Sequence, residues 1–390
     1  MTEFQTEKPS KKARKHLVFT VVNDLNYDQR MQRICGSLAE AGYEVTLIGR
    51  VMANSKPLKE RTFHQKRMKV WFSRGKLFYL EYNFRLLWHF LWNRYDVFGA
   101  CDLDTVMPHF LASRLKRKKM VYDAHEYFPE LPEVVHRPFT RWVWKTVEKL
   151  VVPRTKYAYT INQSYADFFK KEYGTDFEII RNAAVLRKKE QIPFNASQPY
   201  DLSVFEETYI LYQGAVNVGR GVEEMIQAMP FIEGCKLYVC GKGDVFEDCV
   251  NLVKQLNLKN KVKFFGFVPP EFLRQFTRHA KIGFTFFTND GMSYYYSLAN
   301  RFFDYFHGGV PQLCVDFPEY RRINEQFEVA VLLEDLKAES IAEAANQLLQ
   351  DSDLYEKMRN NCLAAQENIN WQAEEKKLIR FYEEVIGNFE

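Results

Sequence analysis

The sequence predicts an α/β protein made of two doubly wound, Rossmann-like domains with parallel sheets. Three observations carry this. The chain has 390 residues, long for one core and suited to two domains of ordinary size. In both halves, short apolar β-branched runs alternate with segments of helical spacing, the rhythm of parallel βα units. A polar stretch at 187–207, containing Pro193 and Pro199, separates the halves. The reading is a basic lead-in at 1–15, a first domain over 16–190 and a second over 205–370.

Composition narrows the class. Hydrophobic residues make up 46%, a globular value, and 33 Phe with 22 Tyr leave aromatics available for binding. Net charge is only +4, but residues 1–200 carry +14 and the remainder −10. A basic first half fits an anionic partner, whether a membrane surface, a lipid phosphate or nucleic acid; of these, nucleic acid is not retained as an expected partner. The seven cysteines are odd in number, with no Cys-x-x-Cys and no metal-ligand spacing. They read as reduced, buried thiols of a cytoplasmic protein, with no metal and no cofactor expected. Met1 to His16 lacks the apolar core of a secretory signal, and no apolar run approaches the ~20 residues of a membrane span.

In chain order, Leu17 to Val22 is a buried strand and Asn23 to Gln29 a polar loop. Arg30 to Ala41 shows helical spacing through Met31, Ile34, Leu38 and Ala41, with Gly42 as the stop, and Glu44 to Ile48 is the next strand. This opening lacks Gly-x-Gly-x-x-Gly, which argues against a dinucleotide cofactor. Lys76 to Trp92 is broadly apolar, rich in Phe, Tyr and Trp, and flanked by Lys66, Arg67, Lys69, Arg74 and Arg94. It fits either a helix buried against the sheet or an interfacial helix. Tyr95 to Ala100 is a strand running into Cys101-Asp102-Leu103-Asp104. Met120 to Tyr122 runs into Asp123-Ala124-His125-Glu126, at a strand's C-terminal end, where open α/β sheets bind ligands. Asp123 and Glu126 are the groups expected to orient His125. Arg141 to Val151 is helical, and Tyr157 to Ile161 is a strand.

In the second half, strands are expected at Tyr209 to Gln213, Lys236 to Cys240, Val262 to Phe265, Ile282 to Phe287 and Gln312 to Val315. Glycine-bearing loops follow the first two, at Gly214 to Gly221 and Gly241 to Asp244. Such loops let backbone amides approach a phosphate, and Arg220 and Lys242 supply charge to neutralise a diphosphate. Helices are expected at Ala338 to Gln350, Leu354 to Asn368 and Trp371 to Ile386.

The most informative stretch runs from Asn289 to Pro311. Ser297 is placed to cap a helix whose apolar face is Leu298, Phe302, Phe303 and Phe306. Gly308, Gly309 and Pro311 end it. Asn300 and Asp304, four apart, share one side. Free amides at a helix start with this polar pair beside them suit a ribose diphosphate.

The run from Ser297 to Tyr305, followed by Gly308-Gly309-Val310-Pro311, resembles the donor-site signature of glycosyltransferase family 4. These are retaining, nucleotide-sugar-dependent enzymes of GT-B fold, in which two Rossmann-like domains face a central cleft. The resemblance implies that Asp304 holds the donor ribose, that the helix start faces the diphosphate, and that His125 touches the donor sugar. It places Asp28, Arg30, Asp102 and Asp104 on the acceptor side with Glu126. It also implies that the terminal helix at 371–386 crosses back to the first domain. The family's other acid, eight residues before Asp304, is Tyr296 here, and its loop arginine is Ala215. The expected activity is metal-independent transfer of a hexose from a nucleotide diphosphate sugar to a hydroxyl of a glycan or lipid-linked acceptor. The alternatives are a nonhydrolysing sugar-nucleotide epimerase and a non-catalytic partner subunit of the same fold.

Overall fold

The computed structural model describes residues 14–26, 28–53, 55–187 and 201–387, so nearly all of the basic lead-in and most of the 187–207 boundary lie outside the described residues. Seven strands build the first sheet: β1 (His16–Thr20), β2 (Glu44–Arg50), β3 (His64–Met68), β4 (Val97–Cys101), β5 (Lys119–Ala124), β6 (Tyr157–Thr160) and β7 (Glu178–Ile179). Six build the second: β8 (Tyr209–Gln213), β9 (Lys236–Cys240), β10 (Val262–Gly266), β11 (Ile282–Thr285), β12 (Gln312–Val315) and β13 (Ala330–Leu333). The orders are β3-β2-β1-β4-β5-β6-β7 and β10-β9-β8-β11-β12-β13, and neighbours pair in parallel. In each sheet the winding reverses beside the first strand, at β1/β4 and at β8/β11. A crevice opens outside the strands' carboxyl ends at such a point.

Apolar strands are buried on both faces, as parallel sheets require. Leu17 and Phe19 of β1 face one core cluster, while Val18 faces another across the sheet. The exceptions are the first sheet's edge strands, β7 and the polar β3, which have no fully buried residue. Polar, charged edges resist pairing with other chains, and they also hide the strand from a hydrophobicity-based reading.

The helix Gly75–Trp92 resolves its two readings by face. Phe78, Tyr82, Leu86 and Phe90, spaced four apart, are buried against the sheet, and Leu87 packs at the margin of that cluster. Phe84, Trp88 and Trp92 are 66%, 56% and 73% exposed.

The C-terminal helix Trp371–Gly387 belongs to the first sheet's core, contributing Trp371, Leu378, Phe381, Tyr382 and Val385. Its first turn is also stitched to the segment leaving β7. Trp371 N–H donates to the Ala184 carbonyl (2.8 Å), Gln372 exchanges two bonds with Leu186 (3.0 and 2.9 Å), and Glu374 accepts the Arg181 N–H (3.0 Å). The Trp371 indole N–H donates to Ser37 Oγ at 3.0 Å.

Further contacts join the two halves across the cleft. Ser164 donates through N–H (2.9 Å) and Oγ (2.6 Å) to Glu319, Tyr165 OH donates to the Ser293 carbonyl (3.0 Å), and Asn182 Nδ2 donates to Asn300 Oδ1 (2.6 Å). Replacing Trp371 with Ala removes a 5% exposed indole and its hydrogen bond. We expect a loss of about 3–5 kcal/mol, read as a lower urea midpoint of the first domain. A wild-type midpoint would show that the terminal helix is not part of that core.

Candidate active site

Asp102 organises the first-domain side of the cleft. It follows β4 with φ 55, a left-handed conformation costly for a side-chain-bearing residue. There its Oδ1 accepts the N–H groups of His125 (3.0 Å) and Glu126 (3.2 Å), and its Oδ2 lies 3.0 Å from His125 Nε2. Asp102 therefore orients His125, in place of the expected Asp123 and Glu126. Burial disfavours the imidazolium, but Asp102 outweighs it and holds His125 at about 10. Cys101 Sγ sits 3.7 Å from the other ring nitrogen.

Asp123 is committed elsewhere. Arg30 grips both its oxygens, at 3.0 and 2.6 Å, and donates to the Ile180 carbonyl at 3.3 Å. Both side chains of this pair are buried, so Arg30 is a scaffold residue and not a cleft contact. Asp28 caps the helix Gln29–Glu40 by accepting the Met31 N–H at 3.0 Å. Asp104 is buried, its carboxyl pushed well up by burial and then by Asp102 and Glu126. Neither lines either cleft cavity. Cys101, Asp123 and His125 do bring ligand atoms within 4.8 Å of one another, a metal-like grouping no local spacing reveals. With Arg30 holding both Asp123 oxygens, a cation there would meet a guanidinium.

On the second-domain side, the helix expected from a Ser297 cap starts only at Asn300, and a separate turn precedes it. Met292–Tyr295 forms one turn, and the longer helix is Asn300–His307 with Ala299 at its N-cap and no side-chain cap. Ser297 is not the cap; its Oγ lies 3.2 Å from the Tyr320 hydroxyl, which itself accepts the Ala299 N–H at 3.1 Å. Asp304 sits one turn into this helix, partly buried, accepting from Gln213 Nε2 at 2.8 Å. Burial raises its carboxyl to about 6 against the pull of Arg33.

The glycine loops after β8 and β9 meet closely. A Cβ on Gly241 would fall 1.7 Å from the Gly214 carbonyl oxygen, so only glycine permits the approach. Arg220 lies over Phe287 and Tyr294, 4.8 Å from each ring centre. Lys242 departs from expectation: it is exposed, its chain runs over Gly266, and it lines neither cleft cavity.

The sequence reading missed Arg301. This guanidinium is buried, stacks on Phe287 (4.7 Å) and Tyr212 (5.0 Å), donates to the Phe286 carbonyl (2.9 Å), and approaches Gly214. Its position next to Asn300, in the first turn of the helix, was the available signal. Both Arg220 and Arg301 keep a buried Nε without a partner.

The two sides enclose a cavity of about 380 Å³. From the first domain it takes His125 and Glu126; from the second, Gly214, Arg220, Ser297, Asn300, Arg301 and Asp304. A smaller cavity of about 150 Å³ adjoins it through Gln213 and Asp304 and is lined by Arg33, Arg187, Arg274 and Arg278.

Two parallel doubly wound sheets whose switch points share one cleft define the GT-B architecture. A sucrose-phosphate synthase from Thermosynechococcus elongatus superposes with a TM-score of 0.78 at 16% identity, over 96% of this chain and 100% of that one. Anabaena HepE, solved with UDP and glucose, gives 0.73 at 13% identity, over 95% and 100%. Residues 202–363 match the family Glycosyl transferases group 1, and residues 29–186 match Glycosyltransferase Family 4. Together these two matches span most of the chain and mark it as a glycosyltransferase of GT-B fold. An uncharacterised glycosyltransferase of Methanocaldococcus jannaschii is 34% identical over 80 residues, a match spanning 20% of this chain and 20% of that protein.

The Asp102–His125 pair has a measurable signature. A folded-state value above that of a free imidazole means the pair adds stability at low pH, complete below about 6.5 and lost as pH rises through about 10. In an NMR titration His125 should stay protonated through neutral pH, and Asp102→Asn should bring its midpoint below 7. A wild-type midpoint near 6.5 would contradict this geometry.

Proposed function

We propose that the protein transfers a hexose from a nucleotide diphosphate sugar to a hydroxyl of a glycan or lipid-linked acceptor, with retention of configuration and without a metal. The observation that carries this reading is the pair of guanidiniums, Arg220 and Arg301, with unpaired Nε atoms beside Gly214 and the first turn of the Asn300–His307 helix. Pre-set donors around a helix start suit a diphosphate whose charge grows as it leaves. Asp304, one helical turn further on, would then hold the ribose. That HepE was solved with UDP and glucose supports this class of donor.

In this reading the bond between the anomeric carbon and the diphosphate oxygen breaks, and the acceptor hydroxyl oxygen forms the new bond on the same face. Its proton passes to the departing phosphate oxygen. Arg220, Arg301 and the helix start balance the leaving charge, and His125, its ring nitrogens engaged by Asp102 and Cys101, faces the sugar from the opposite wall. Arg220→Ala should weaken nucleoside diphosphate binding by roughly 1.5–3 kcal/mol, the range for a lost charged hydrogen bond. Asp304→Ala should weaken it within the same range, whereas Lys242→Ala should leave it near wild type. Calorimetry against UDP, with release of sugar from UDP-glucose as the activity assay, checks all three. Unchanged affinity in both Arg220→Ala and Asp304→Ala would move the donor elsewhere.

The same reading places the enzyme at the cytoplasmic face of a membrane, peripherally. No helix among the described residues is long and apolar enough to cross one. The exposed stripe of the Gly75–Trp92 helix lies beside Lys66, Lys69 and Arg85, and Trp71, 85% exposed, extends it. Aromatics beside lysines and arginines suit an anionic interface, each basic residue contributing on the order of 1 kcal/mol. The protein should pellet with phosphatidylserine vesicles at low salt and be released at high salt. Replacing Phe84, Trp88 and Trp92 with Ser should abolish binding without unfolding, since these side chains are exposed; Leu87 is left in place because it packs on the core. Binding that survives the triple replacement would exclude this face.

A further inference from the structure

We infer that Glu126, contributed by the first domain, recognises a hydroxyl of the transferred sugar and takes the place of the acid missing at position 296. This deepens the donor reading above and rests on it.

Three observations converge. First, Tyr296 has left the cavity. Its ring packs on the first-domain cluster that includes Leu103, Tyr122 and Tyr165, its carbonyl accepts from Asn162 Nδ2 at 2.7 Å, and it does not line the 380 Å³ space. The segment that would carry an acid eight residues before Asp304 is used to dock the domains together. Second, Glu126 lines that space opposite Arg220, Tyr294 and Ser297. Its main chain is fixed by Asp102, while its carboxylate has no hydrogen bond or ion pair among the described residues. A carboxylate held by its backbone and unpaired at its tip is set to accept from a ligand. Third, the other carboxylate lining the cavity, Asp304, is already bonded to Gln213 and stands further along the helix, away from its first turn.

The enclosing walls and the neighbouring Asp102 keep the Glu126 carboxyl near 7, while His125 and Arg220 favour its charged form. A bound sugar offering a hydroxyl would meet a strong acceptor there. Binding would at the same time draw the first domain onto the second, because the acceptor and the diphosphate site sit on opposite walls.

The test compares a nucleoside diphosphate with its sugar conjugate. Calorimetry with UDP and with UDP-glucose gives the ratio of their affinities, and turnover gives KM and kcat. Glu126→Ala should leave UDP affinity unchanged and lower UDP-glucose affinity about 10- to 100-fold, the fold-change of a charged hydrogen bond. Glu126→Gln, which still accepts a hydrogen bond, should recover part of the loss. Deoxygenating the donor at the hydroxyl being read should remove the difference between wild type and Glu126→Ala. An unchanged UDP-glucose to UDP ratio in Glu126→Ala overturns this assignment alone. A loss confined to kcat overturns it in favour of a covalent or proton-transfer role. If the wild-type protein binds neither UDP nor UDP-glucose, the donor reading fails and this inference with it.

Discussion

The structure depends on one buried ion pair. Arg30 and Asp123 are 93 residues apart, almost fully buried, and joined by two hydrogen bonds. Removing two charges from water costs several kcal/mol per ion before any attraction is counted. The arrangement is tolerable because the pair is bidentate and Arg30 also satisfies the Ile180 carbonyl. With those three contacts it ties the first helix to the strand that ends at the site and to the segment leading out of the domain. Asp123 then anchors the end of β4, its carbonyl accepting the Asp102 N–H at 2.8 Å. From that point Asp102 sets His125 and Glu126.

Much of the second domain's contribution is a matter of shape. Gly214 and Gly241 let two loops touch, and the rings of Phe287, Tyr294 and Tyr212 lie against two guanidiniums. A guanidinium supported on an aromatic face keeps little freedom of its own. The cleft is also bridged on more than one side, by Asn182 with Asn300 and by Ser164 with Glu319. These are short polar contacts, the kind that domain motion can exchange.

The fold was legible because parallel strands buried on both faces must be apolar, and those of both sheets' centres are. β3 was not legible, because an edge strand with polar residues carries no such signal. The site was legible where chemistry is local: His125 and Glu126 at a strand end, Asn300 and Asp304 on one helix side. It was obscured where a partner comes from afar. Asp28 and Arg30 looked like cleft residues because their roles depend on Met31 and on Asp123. Ser297 looked like a cap because nothing nearby shows that the Tyr320 hydroxyl, 23 residues on, takes its Oγ and the Ala299 N–H. Lys242 sits within a glycine loop, the local pattern of a phosphate ligand, yet its chain leans over Gly266 and lines neither cleft cavity.

The terminal helix has a consequence for synthesis. Residues 371–387 complete the core around β1, so the domain begun first is finished last. During translation the ribosome emits every strand of the first sheet, then the whole second domain, before Trp371 reaches Ser37. The second domain has its own closed core and can fold in that interval. The first must wait, with the apolar surface that will receive Trp371, Phe381 and Tyr382 uncovered until the last turns of the chain emerge.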